Sequence, residues 1–426
     1  MPDELSRLMV DKSAFSWEVL TTLKVKQDDY DPNKLKQFIR DIRNSDRISN
    51  FIKDKNPSEL LDYYLFVKDG FLTNLGVLWI GKRQHRAMLA YAPSIQFIKK
   101  DENDRKVNKI VWDDFYLNPK ELIQAVWEQV PDWKESIEIP DGIFRKNISN
   151  YDEVVIRELI ANALAHRPYT IKGDIFVNLF PDKLEVHNPG LLPLGVTPSN
   201  ILHKSNQRNT HLAKVFYDLK LMEREGSGYD RIFEVLLSAG KPIPEVIEGD
   251  DRVVVTVRKR IVNEAIINFI DKANREFQLR SKELISLGLI AQHTSLTAIE
   301  FSKILDLHKP NAIRNWLGRL IDLGLVKSKG KTKGKAYFID PDLLKRLEFK
   351  GLTDLKEIPT HRLQELIIQD LSIYEKSSFG DIHKRIGKEI PARKLQATLN
   401  QMVTKKQIQK EGVKRWTNYS LSLIHI

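Results

Sequence analysis

The segment Arg157-Glu158-Leu159-Ile160-Ala161-Asn162-Ala163-Leu164-Ala165-His166-Arg167 decides the central part of the fold. Side chains four residues apart share one face of a helix, so the pattern predicts a helix over Glu153–His166. Glu158, Asn162 and His166 would lie on one face of it, while the apolar residues between them suit burial. A carboxylate one turn from a carboxamide can orient or deprotonate a water molecule and help to hold Mg²⁺ beside phosphates. Such a pair is also common on ordinary helix surfaces, so the flanking sequence has to decide between these interpretations.

Two glycine-containing turns follow this helix. A predicted hairpin, with strands over 175–180 and 184–188, runs into the turn Asn188-Pro189-Gly190. Further along, Gly226-Ser227-Gly228 precedes a helix predicted over 229–238. A glycine-rich turn at the start of a helix presents backbone N–H groups and the positive end of the helix dipole, and both favour phosphate. The same turn is also typical of an ordinary connection between two helices.

Taken in order, Glu158-x-x-x-Asn162, Asn188-Pro189-Gly190 and Gly226-Ser227-Gly228 resemble the nucleotide-binding boxes of the GHKL ATPase superfamily. The closer resemblance is to the C-terminal ATPase-like domain of bacterial RecG-related transcriptional regulators that are associated with Schlafen AlbA domains. Their arginine–asparagine element matches Arg208-Asn209. The resemblance is close over about residues 150–240 and extends more loosely back to Lys68–Gly81. It implies an α/β-sandwich domain that binds ATP with Mg²⁺.

The resemblance also implies a role for each matched residue. Glu158 would be the water-activating base, Asn162 the Mg²⁺ ligand, and Asn188 with Gly190 would stand at the adenine-binding box. Many superfamily members have Asp in place of Asn188. An amide oxygen can still accept a hydrogen bond from the adenine amino group, but the amide leaves the choice of nucleotide less determined. The other matched positions, which would form the lid, contact the nucleotide or cradle phosphate, are His166, Arg208, Asn209, Gly226, Ser227 and Gly228.

The RecG name refers to a helicase, and the sequence does not support a helicase motor. The string Gly76-Val77-Leu78-Trp79-Ile80-Gly81-Lys82 has the spacing of a phosphate-binding P-loop. However, Arg83 stands where a Mg²⁺-binding Ser or Thr is required, and the apolar interior predicts a buried strand. Paired acidic residues after a strand, which a motor ATPase also needs, are missing from the sequence.

Length and composition narrow the classes of protein further. The chain has 426 residues, 42% of them apolar, and contains no cysteine. This length predicts several domains, and this apolar content excludes a disordered chain. The lack of cysteine excludes disulfides, thiolate zinc sites and cysteine nucleophiles. No apolar run reaches the roughly 18–20 residues of a membrane span, and the N-terminus lacks a signal-peptide pattern. We therefore expect a soluble, cytoplasmic protein.

The excess of positive charge lies in the C-terminal part of the chain. Residues 261–426 contain 29 Lys and Arg against 18 Asp and Glu, whereas residues 1–260 contain 39 of each class. The same pattern also occurs twice here: three predicted helices are followed by two short strands, which is the order of a winged helix-turn-helix. We predict winged helices over 261–340 and 360–426, joined by a linker over 341–359.

A winged helix binds DNA by placing its third helix in the major groove and its wing against phosphates. The wing lysines of the first copy occur at alternate positions, which puts them on one face of a strand and suits phosphate contact without base readout. Winged helices also mediate protein contacts, and a basic helical surface can simply be solvated. The predicted DNA-contacting residues are Asn311, Arg314, Asn315, Arg319, Lys327, Lys329, Lys331, Lys333, Lys335, Arg393, Lys394, Lys414 and Arg415.

The sequence thus predicts an α+β multidomain protein. An N-terminal α/β region over 1–138 follows an AlbA-type domain, of which Met1–Ser16 resembles the end. A GHKL-like α/β sandwich over 139–260 and the mainly helical winged modules come next. The leading interpretation is an ATP- and Mg²⁺-binding regulator, transcriptional in role, in which the nucleotide controls binding to double-stranded DNA. Whether ATP is hydrolysed stays open, and so does assembly as a homodimer.

Two alternatives belong to other functional classes. One is a DNA-processing or phage-defence ATPase that works with a partner protein carrying an AlbA-type or nuclease domain. The other is a degenerate ATPase scaffold with constitutive DNA binding. DNA-stimulated phosphate release would favour the first, and a chain that binds DNA but no nucleotide would favour the second.

Overall fold

The computed structural model describes residues 16–141, 144–204, 206–223, 227–262, 264–308, 312–330, 334–346, 360–387, 390–412 and 417–422. The helices are α1 (Pro32–Asn44), α2 (Asn50–Lys53), α3 (Pro57–Tyr63), α4 (Asn74–Ile80), α5 (Arg83–Met88), α6 (Pro119–Gln129), α7 (Glu153–His166), α8 (Thr210–Asp218), α9 (Ser227–Ser238), α10 (Glu264–Phe277), α11 (Ser281–His293), α12 (Ala298–Ile304), α13 (Ala312–Asp322), α14 (Pro341–Arg346), α15 (Thr360–Ile373), α16 (Phe379–Ile386) and α17 (Ala392–Thr404). The strands are β1 (Val67–Lys68), β2 (Phe71–Leu72), β3 (Ile95–Lys100), β4 (Lys106–Trp112), β5 (Ser136–Asp141), β6 (Phe144–Ser149), β7 (Ile175–Leu179), β8 (Lys183–Pro189), β9 (Glu245–Glu248), β10 (Arg252–Arg258), β11 (Ser295–Thr297), β12 (Val326–Lys329), β13 (Ala336–Ile339), β14 (Ser377–Ser378), β15 (Ile408–Glu411) and β16 (Asn418–Leu421). The AlbA-like end predicted at Met1–Ser16 lies outside the described residues except for its last position.

A six-stranded mixed sheet forms the centre of the first part of the chain. Its strand order is β4-β3-β7-β8-β10-β9, with β3 and β7 parallel and the other neighbouring pairs antiparallel. The predicted hairpin is confirmed as β7–β8, in which the Phe180 N–H donates to the Lys183 carbonyl at 2.8 Å. Along β8, Leu184 and Val186 are buried and the other residues of the strand are half-buried. This alternation turns one face of the sheet toward the core.

Helix α7 lies in that core and has the predicted bounds. At its start the Asp152 side chain accepts a hydrogen bond from the Val154 N–H at 2.8 Å, and Pro168 follows its end because proline cannot continue a helix. The helix contacts α6, α8, α9 and β8. Its apolar residues are buried around most of its circumference. The few polar side chains of α7 therefore need a partner or a cavity.

The boundary predicted at position 138 falls inside one continuous structure. Strand β3 pairs directly with β7, although the two strands lie far apart in the sequence. One apolar core includes Phe38 and Trp79 together with Val177. The regions 1–138 and 139–260 therefore share one sheet and one core. A parallel pair needs a long crossover connection, and local sequence patterns do not reveal which distant strand will pair.

The prediction of a buried strand at Gly76–Ile80 is wrong. This stretch belongs to α4, where the Thr73 side chain accepts a hydrogen bond from the Gly76 N–H at 3.0 Å and so caps the helix. All residues of α4 are buried. A short, uniformly apolar run is compatible with either a buried strand or a buried helix, because it carries no periodicity that separates them.

Two modules with the same element order occupy the C-terminal part. The first has α11, α12 and α13 with a sheet in the order β11-β13-β12, and the second has α15, α16 and α17 with the order β14-β16-β15. The predicted helices and hairpins of both copies are present to within a few residues. The predicted linker over 341–359 begins with a helix, α14, and its residues after 346 lie outside the described ranges.

The chain divides into two compact units. The first comprises Met1–Ile267, Leu279–Ile285 and Lys303–His308, and the second comprises Asn268–Gln278, Ser286–Ser302 and Lys309–Ile426. Every nucleotide-binding candidate belongs to the first unit, and every DNA-contacting candidate belongs to the second.

Candidate functional site

One cavity in the first unit brings together several of the predicted nucleotide-binding residues. Glu158, Asn162, His166, Asn188 and Gly228 all line it. Its apolar wall comes from α7, β8, β10 and the segment after β8, and includes Leu159, Val186, Val196, Ile201, Val253 and Val255. An apolar concave surface with a few convergent polar groups is the composition typical of small-molecule sites.

Glu158 and Asn162 are hydrogen-bonded to each other at this cavity. The Asn162 Nδ2 donates to the Glu158 Oε1 at 3.1 Å, and the backbone N–H of Glu223 is a second donor to the same carboxyl. Burial raises the pKa of Glu158 to about 7, and the Glu223 carboxylate adds to this rise, while the two hydrogen bonds and the Arg47 charge oppose it. A carboxyl group with this pKa can take up or release a proton near neutral pH.

Gly228 packs directly against this carboxyl. A Cβ atom at position 228 would lie 2.1 Å from the Glu158 Oε1 and 3.6 Å from the Asn162 Nδ2. A side chain at this position would therefore displace the Glu158 carboxyl, and glycine leaves the carboxyl where it is. Gly226 of the same predicted turn lies outside the described residues, and Ser227 is the first residue of α9.

Two polar atoms at the cavity are buried and have no hydrogen-bond partner within the described residues: the Asn188 Oδ1 and the His166 Nδ1. Asn188 lies on β8 opposite Val253 of β10. Desolvation lowers the pKa of His166 to about 4, with a smaller contribution from the Arg208 charge, so the ring is neutral at pH 7. An unsatisfied buried polar group costs about 1–3 kcal/mol, which a ligand with the complementary group would relieve.

Arg208 and Asn209, which the resemblance assigns to the lid, are hydrogen-bonded to the end of α7 and to the segment after β8. The Arg208 guanidinium donates to the carbonyls of His166 and Leu191 at 3.0 and 3.1 Å. The Asn209 Nδ2 donates to two carbonyls at the end of α7, each at 2.8 Å. The last carbonyls of a helix have no partner within the helix, so these side chains satisfy them and fasten the segment after β8 to α7. Neither residue is part of the cavity wall that the described residues form.

Gly190 also lies outside that wall, and its role is conformational. Its φ of +86° is in the left-handed region, and a Cβ there would lie 2.6 Å from the Cγ of Pro168. Its N–H donates to the Asp251 carbonyl at 2.8 Å. Glycine at this position lets the turn after β8 pass close to the end of α7.

The sequence interpretation missed Lys204 and Glu223, which also line the cavity, whereas Gln207 of the lining lies within the lid expected near Asn206–Asn209. Lys204 lies in the connection before Arg208, where no helix or strand pattern drew attention to it. Glu223 lies shortly before the glycine-rich turn at Gly226. Its position beside that turn was the signal that could have identified it.

Three of the predicted DNA-contacting residues lie on α13. Arg314 and Asn315 are exposed. Arg319 is half-buried, and its guanidinium donates to the Phe277 carbonyl at 3.1 Å. This contact ties α13 to the end of α10, so Arg319 has a structural bond in addition to its predicted role.

The wing residues also differ from one another. Lys327 forms an ion pair with Asp340 at 2.9 Å, Lys329 is exposed, and the Lys335 ammonium lies 5.4 Å from the centre of the Tyr337 ring. In the second module, Arg393 is exposed and Lys394 is half-buried on α17. The candidates that lie outside the described residues are Asn311, Lys331, Lys333, Lys414 and Arg415.

Two features are absent from the part of the chain that the structure describes. Within those ranges, no helix combines the length and apolarity needed to cross a membrane. Among the same residues, no three His, Asp or Glu side chains are grouped so that they could hold a metal ion.

A comparison with protein families finds a match in the central segment of the chain. The family model described as "Putative ATP-dependent DNA helicase recG C-terminal" matches residues 173–257. This segment contains β7 to β10 of the sheet together with Asn188 and Gly228, whereas Glu158 and Asn162 precede it. The chain therefore contains an ATPase-like domain related to the RecG C-terminal type, which indicates nucleotide binding.

Comparisons with whole proteins concern the fold. No curated protein matches the chain. Among solved structures, the DIP2311 protein from Corynebacterium diphtheriae is similar, with 19% sequence identity and a TM-score of 0.60. The alignment covers 96% of this chain and 70% of that chain. At this identity the similarity shows a mixed α+β fold and does not extend to an activity.

Proposed function

We propose that the cavity beside α7 binds ATP with Mg²⁺, and that nucleotide occupancy controls DNA binding by the two C-terminal modules. The observation that carries the nucleotide part is the convergence of Glu158, Asn162, Asn188 and Gly228 on one cavity. The ATPase-like family match over 173–257 supports it.

The apolar part of the cavity suits a purine base. Val186, Val253 and Leu159 supply an apolar surface, and the Asn188 Oδ1 is buried there without a partner among the described residues. An adenine amino group is a donor that would satisfy this oxygen, since an amide oxygen accepts two hydrogen bonds.

The polar part suits a triphosphate with its metal. Asn162 donates to Glu158 through its amide nitrogen, which leaves the amide oxygen to act as a Mg²⁺ ligand. When bound, Mg²⁺ would neutralise phosphate charge and polarise the terminal phosphate. Lys204 lines the same cavity and would add a positive charge, and the start of α9 at Gly228 would offer backbone N–H groups to phosphate.

The properties of Glu158 indicate that the site would hydrolyse ATP as well as bind it. Its pKa of about 7 lets it accept a proton from water at neutral pH, and its two hydrogen-bond donors fix its direction. A residue that served only to hold a metal would gain nothing from this raised pKa, because a protonated carboxyl is a poor metal ligand.

The proposal for DNA rests on charge and element order. Residues 261–426 carry an excess of 11 basic side chains, and both modules have three helices followed by a strand hairpin. Both modules would be winged helices, in which the exposed Arg314, Asn315 and Arg393 would contact DNA and Lys329 would belong to the first wing. The proposed role is that of a regulator and excludes a motor helicase, because the sequence has no helicase motor motifs.

Calorimetric titration with ATP and Mg²⁺ tests the nucleotide part. We expect saturable binding in the wild type, and loss of its Mg²⁺ dependence in the Asn162→Ala variant. An absence of heat and of thermal stabilisation would leave the scaffold alternative, since ligand at about 100 times its Kd should add about 2.7 kcal/mol of stability.

Fluorescence anisotropy with a DNA duplex tests the regulatory part. We expect the affinity for DNA to differ between the nucleotide-free and ATP-bound protein. Equal affinities would contradict nucleotide control, and phosphate release that is strongly stimulated by DNA would favour the DNA-processing ATPase instead.

A further inference from the structure

Helix α1 of the first unit presents a row of three cationic side chains to solvent. Lys36, Arg40 and Arg43 follow one another at intervals of four and three residues, so they lie on one face of the helix, and all three are exposed. The row is about 10 Å long, since each helical residue adds about 1.5 Å. None of the three has an ion-pair partner among the described residues. No carboxylate of the described chain therefore neutralises this row.

The other charged side chains of α1 are paired within the fold. Lys34 forms an ion pair with Glu121, and Asp41 forms one with Lys120 at 2.6 Å, both across to α6. The buried residues of the helix are Leu35, Phe38 and Ile42. The fold thus uses the other two faces of α1, and the cationic row makes no ion pair that would explain its charges structurally.

A groove of about 520 Å³ lies beside the cationic row. Its lining consists of the three cations together with Tyr30, Pro32, Leu35, Ile39, Asn44 and Pro57. No Asp or Glu of the residues that the structure describes belongs to this lining. The groove therefore combines positive charge with an apolar surface that includes an aromatic ring.

The segment between Asn44 and Pro57 begins and ends at this groove and carries a second aromatic ring. Phe51, in α2, is 76% exposed, and the Lys55 ammonium lies 4.6 Å from the centre of its ring. A ring this exposed contributes little to the core, and its flat face is available for a planar group to stack on.

Positive charge along a groove, together with accessible aromatic rings, is the combination with which proteins bind single strands of nucleic acid. The phosphates of a strand would pair with the cationic row, and its bases would stack on the rings. A duplex keeps its bases stacked inside, so it would leave the rings without a partner. An acidic peptide would pair with the row, but it has no planar bases to stack.

We propose that this groove binds a single strand of nucleic acid, with phosphates on Lys36, Arg40 and Arg43 and bases stacked against Tyr30 and Phe51. The proposal goes beyond the function proposed above, because it concerns the first unit, requires no ATP and does not involve the C-terminal modules. DNA and RNA strands share the chemistry that the groove would recognise, and the experiment separates the two.

The experiment is fluorescence anisotropy of the full-length, nucleotide-free protein with labelled oligothymidylate and oligouridylate over a series of salt concentrations. We expect saturable binding of at least one of the two strands. The triple variant Lys36→Gln/Arg40→Gln/Arg43→Gln should reduce the slope of log K against log salt by up to about 2, because each phosphate contact of a single strand contributes about 0.7. Arg40→Lys/Arg43→Lys keeps the charge and should retain the slope. Phe51→Ala should weaken binding about fivefold or more, with the slope unchanged.

The matched control is Arg105→Gln/Lys106→Gln/Lys109→Gln, which removes three exposed positive charges at β4 of the same unit. It should keep the wild-type slope. Circular dichroism checks the folding of both triple variants. If the α1 variant is unfolded, Lys36→Gln alone decides, with about a third of the expected change in slope.

Several results would overturn the proposal: no binding of either strand by the wild type, equal slopes in the two triple variants, or an equal loss of duplex and single-strand binding in the α1 variant. Displacement of the strand by a polyglutamate peptide as readily as by unlabelled strand would also overturn it, and would indicate an acidic protein partner instead. Because no nucleotide is present, none of these results bears on ATP binding beside α7.

Discussion

The Asn162 amide nitrogen donates to the Glu158 Oε1 at 3.1 Å, so the candidate metal ligand and the candidate base are held in one arrangement before any ligand binds. This bond fixes which end of the amide faces the carboxyl and which end is left for another partner. Gly228 closes the arrangement from α9, because a side chain there would overlap the carboxyl oxygen. A preorganised group of this kind needs little rearrangement when a substrate arrives.

The Glu158→Gln variant should stop hydrolysis and preserve nucleotide binding. Glutamine keeps the shape of the side chain and can still accept the Asn162 hydrogen bond, but it cannot take a proton from water. We expect phosphate release to fall by about 10²–10⁴-fold, with the Kd for ATP changed only a few-fold. In the wild type the rate should rise with pH through about 7, where Glu158 ionises. Colorimetric phosphate release and calorimetric titration measure the two quantities.

The control for this variant is Glu153→Gln, which changes a half-exposed glutamate in the first turn of the same helix. Its phosphate release should equal that of the wild type. A Glu158→Gln protein that retains full turnover would show that another group, or no protein group, activates the water.

The same carboxyl should make stability depend on pH. Folding raises the pKa of Glu158 from 4.5 to about 7, so between these values the folded protein keeps a proton that the unfolded chain has lost. The contribution of Glu158 to the free energy of unfolding is therefore largest below pH 4.5 and decreases as pH rises to 7. The free energy of unfolding of Glu158→Gln minus that of the wild type should therefore be greater at pH 8 than at pH 5. We expect this increase to be on the order of 1–3 kcal/mol. Urea unfolding of both proteins at the two pH values measures this difference, and equal effects at both would contradict the burial of an ionisable group.

Asn188 should determine how strictly the base is selected. An amide can turn either its oxygen or its nitrogen toward the base, whereas a carboxylate only accepts hydrogen bonds. In Asn188→Asp, an adenine amino group would still be accepted, but the carbonyl oxygen of guanine would face a negative charge. We expect the ratio of ATP to GTP affinity to increase by about tenfold or more, which corresponds to about 1.4 kcal/mol. Competition of both nucleotides against a fluorescent ATP analogue measures the ratio.

The conservative control is Val253→Ile on the neighbouring strand β10, which is paired with Asn188 in the sheet and changes no polar group. It should leave the ratio unchanged even if it alters both affinities. An unchanged ratio in Asn188→Asp would place the base elsewhere in the cavity.

Local sequence patterns predicted individual elements well and their long-range pairing poorly. Helix α7 and the hairpin β7–β8 were predicted because periodicity and turn residues act over a few positions. The parallel pairing of β3 with β7 joins Phe97 to Val177 across a long crossover, and no local pattern encodes such a partner. For the same reason, a division at position 138 was expected where the structure has one core.

The candidate site was also predicted only in part from the sequence. Glu158, Asn162, Asn188 and Gly228 were found through spacing and resemblance, and all of them line one cavity. The structural roles of Arg208 and Asn209 were not foreseen, because they depend on unpaired carbonyls at the end of α7 that only the folded chain brings near. The contact of Arg47 with this region could not have been predicted from the sequence. Its guanidinium donates to the carbonyls of Tyr217 and Met222, which are far from it in the sequence.

The wing of the first C-terminal module should contribute the salt dependence of DNA binding. Lys327, Lys329 and Lys335 belong to this wing, and lysines that bind phosphates release counterions from the DNA. Replacing all three by alanine should weaken DNA binding and reduce the slope of log K against log salt by up to about 0.9 for each phosphate that the variant no longer neutralises. Lys329→Ala alone should reduce the slope by most of the amount expected for one phosphate contact. Lys327→Ala should also lower the free energy of unfolding, because it breaks the ion pair with Asp340. Fluorescence anisotropy over a series of salt concentrations measures the slope.

Lys106→Ala, which changes an exposed lysine on β4 of the other unit, is the charge-matched control and should keep the wild-type slope. If the triple variant also keeps that slope, the wing does not contact DNA, and the basic modules must bind their partner through another surface.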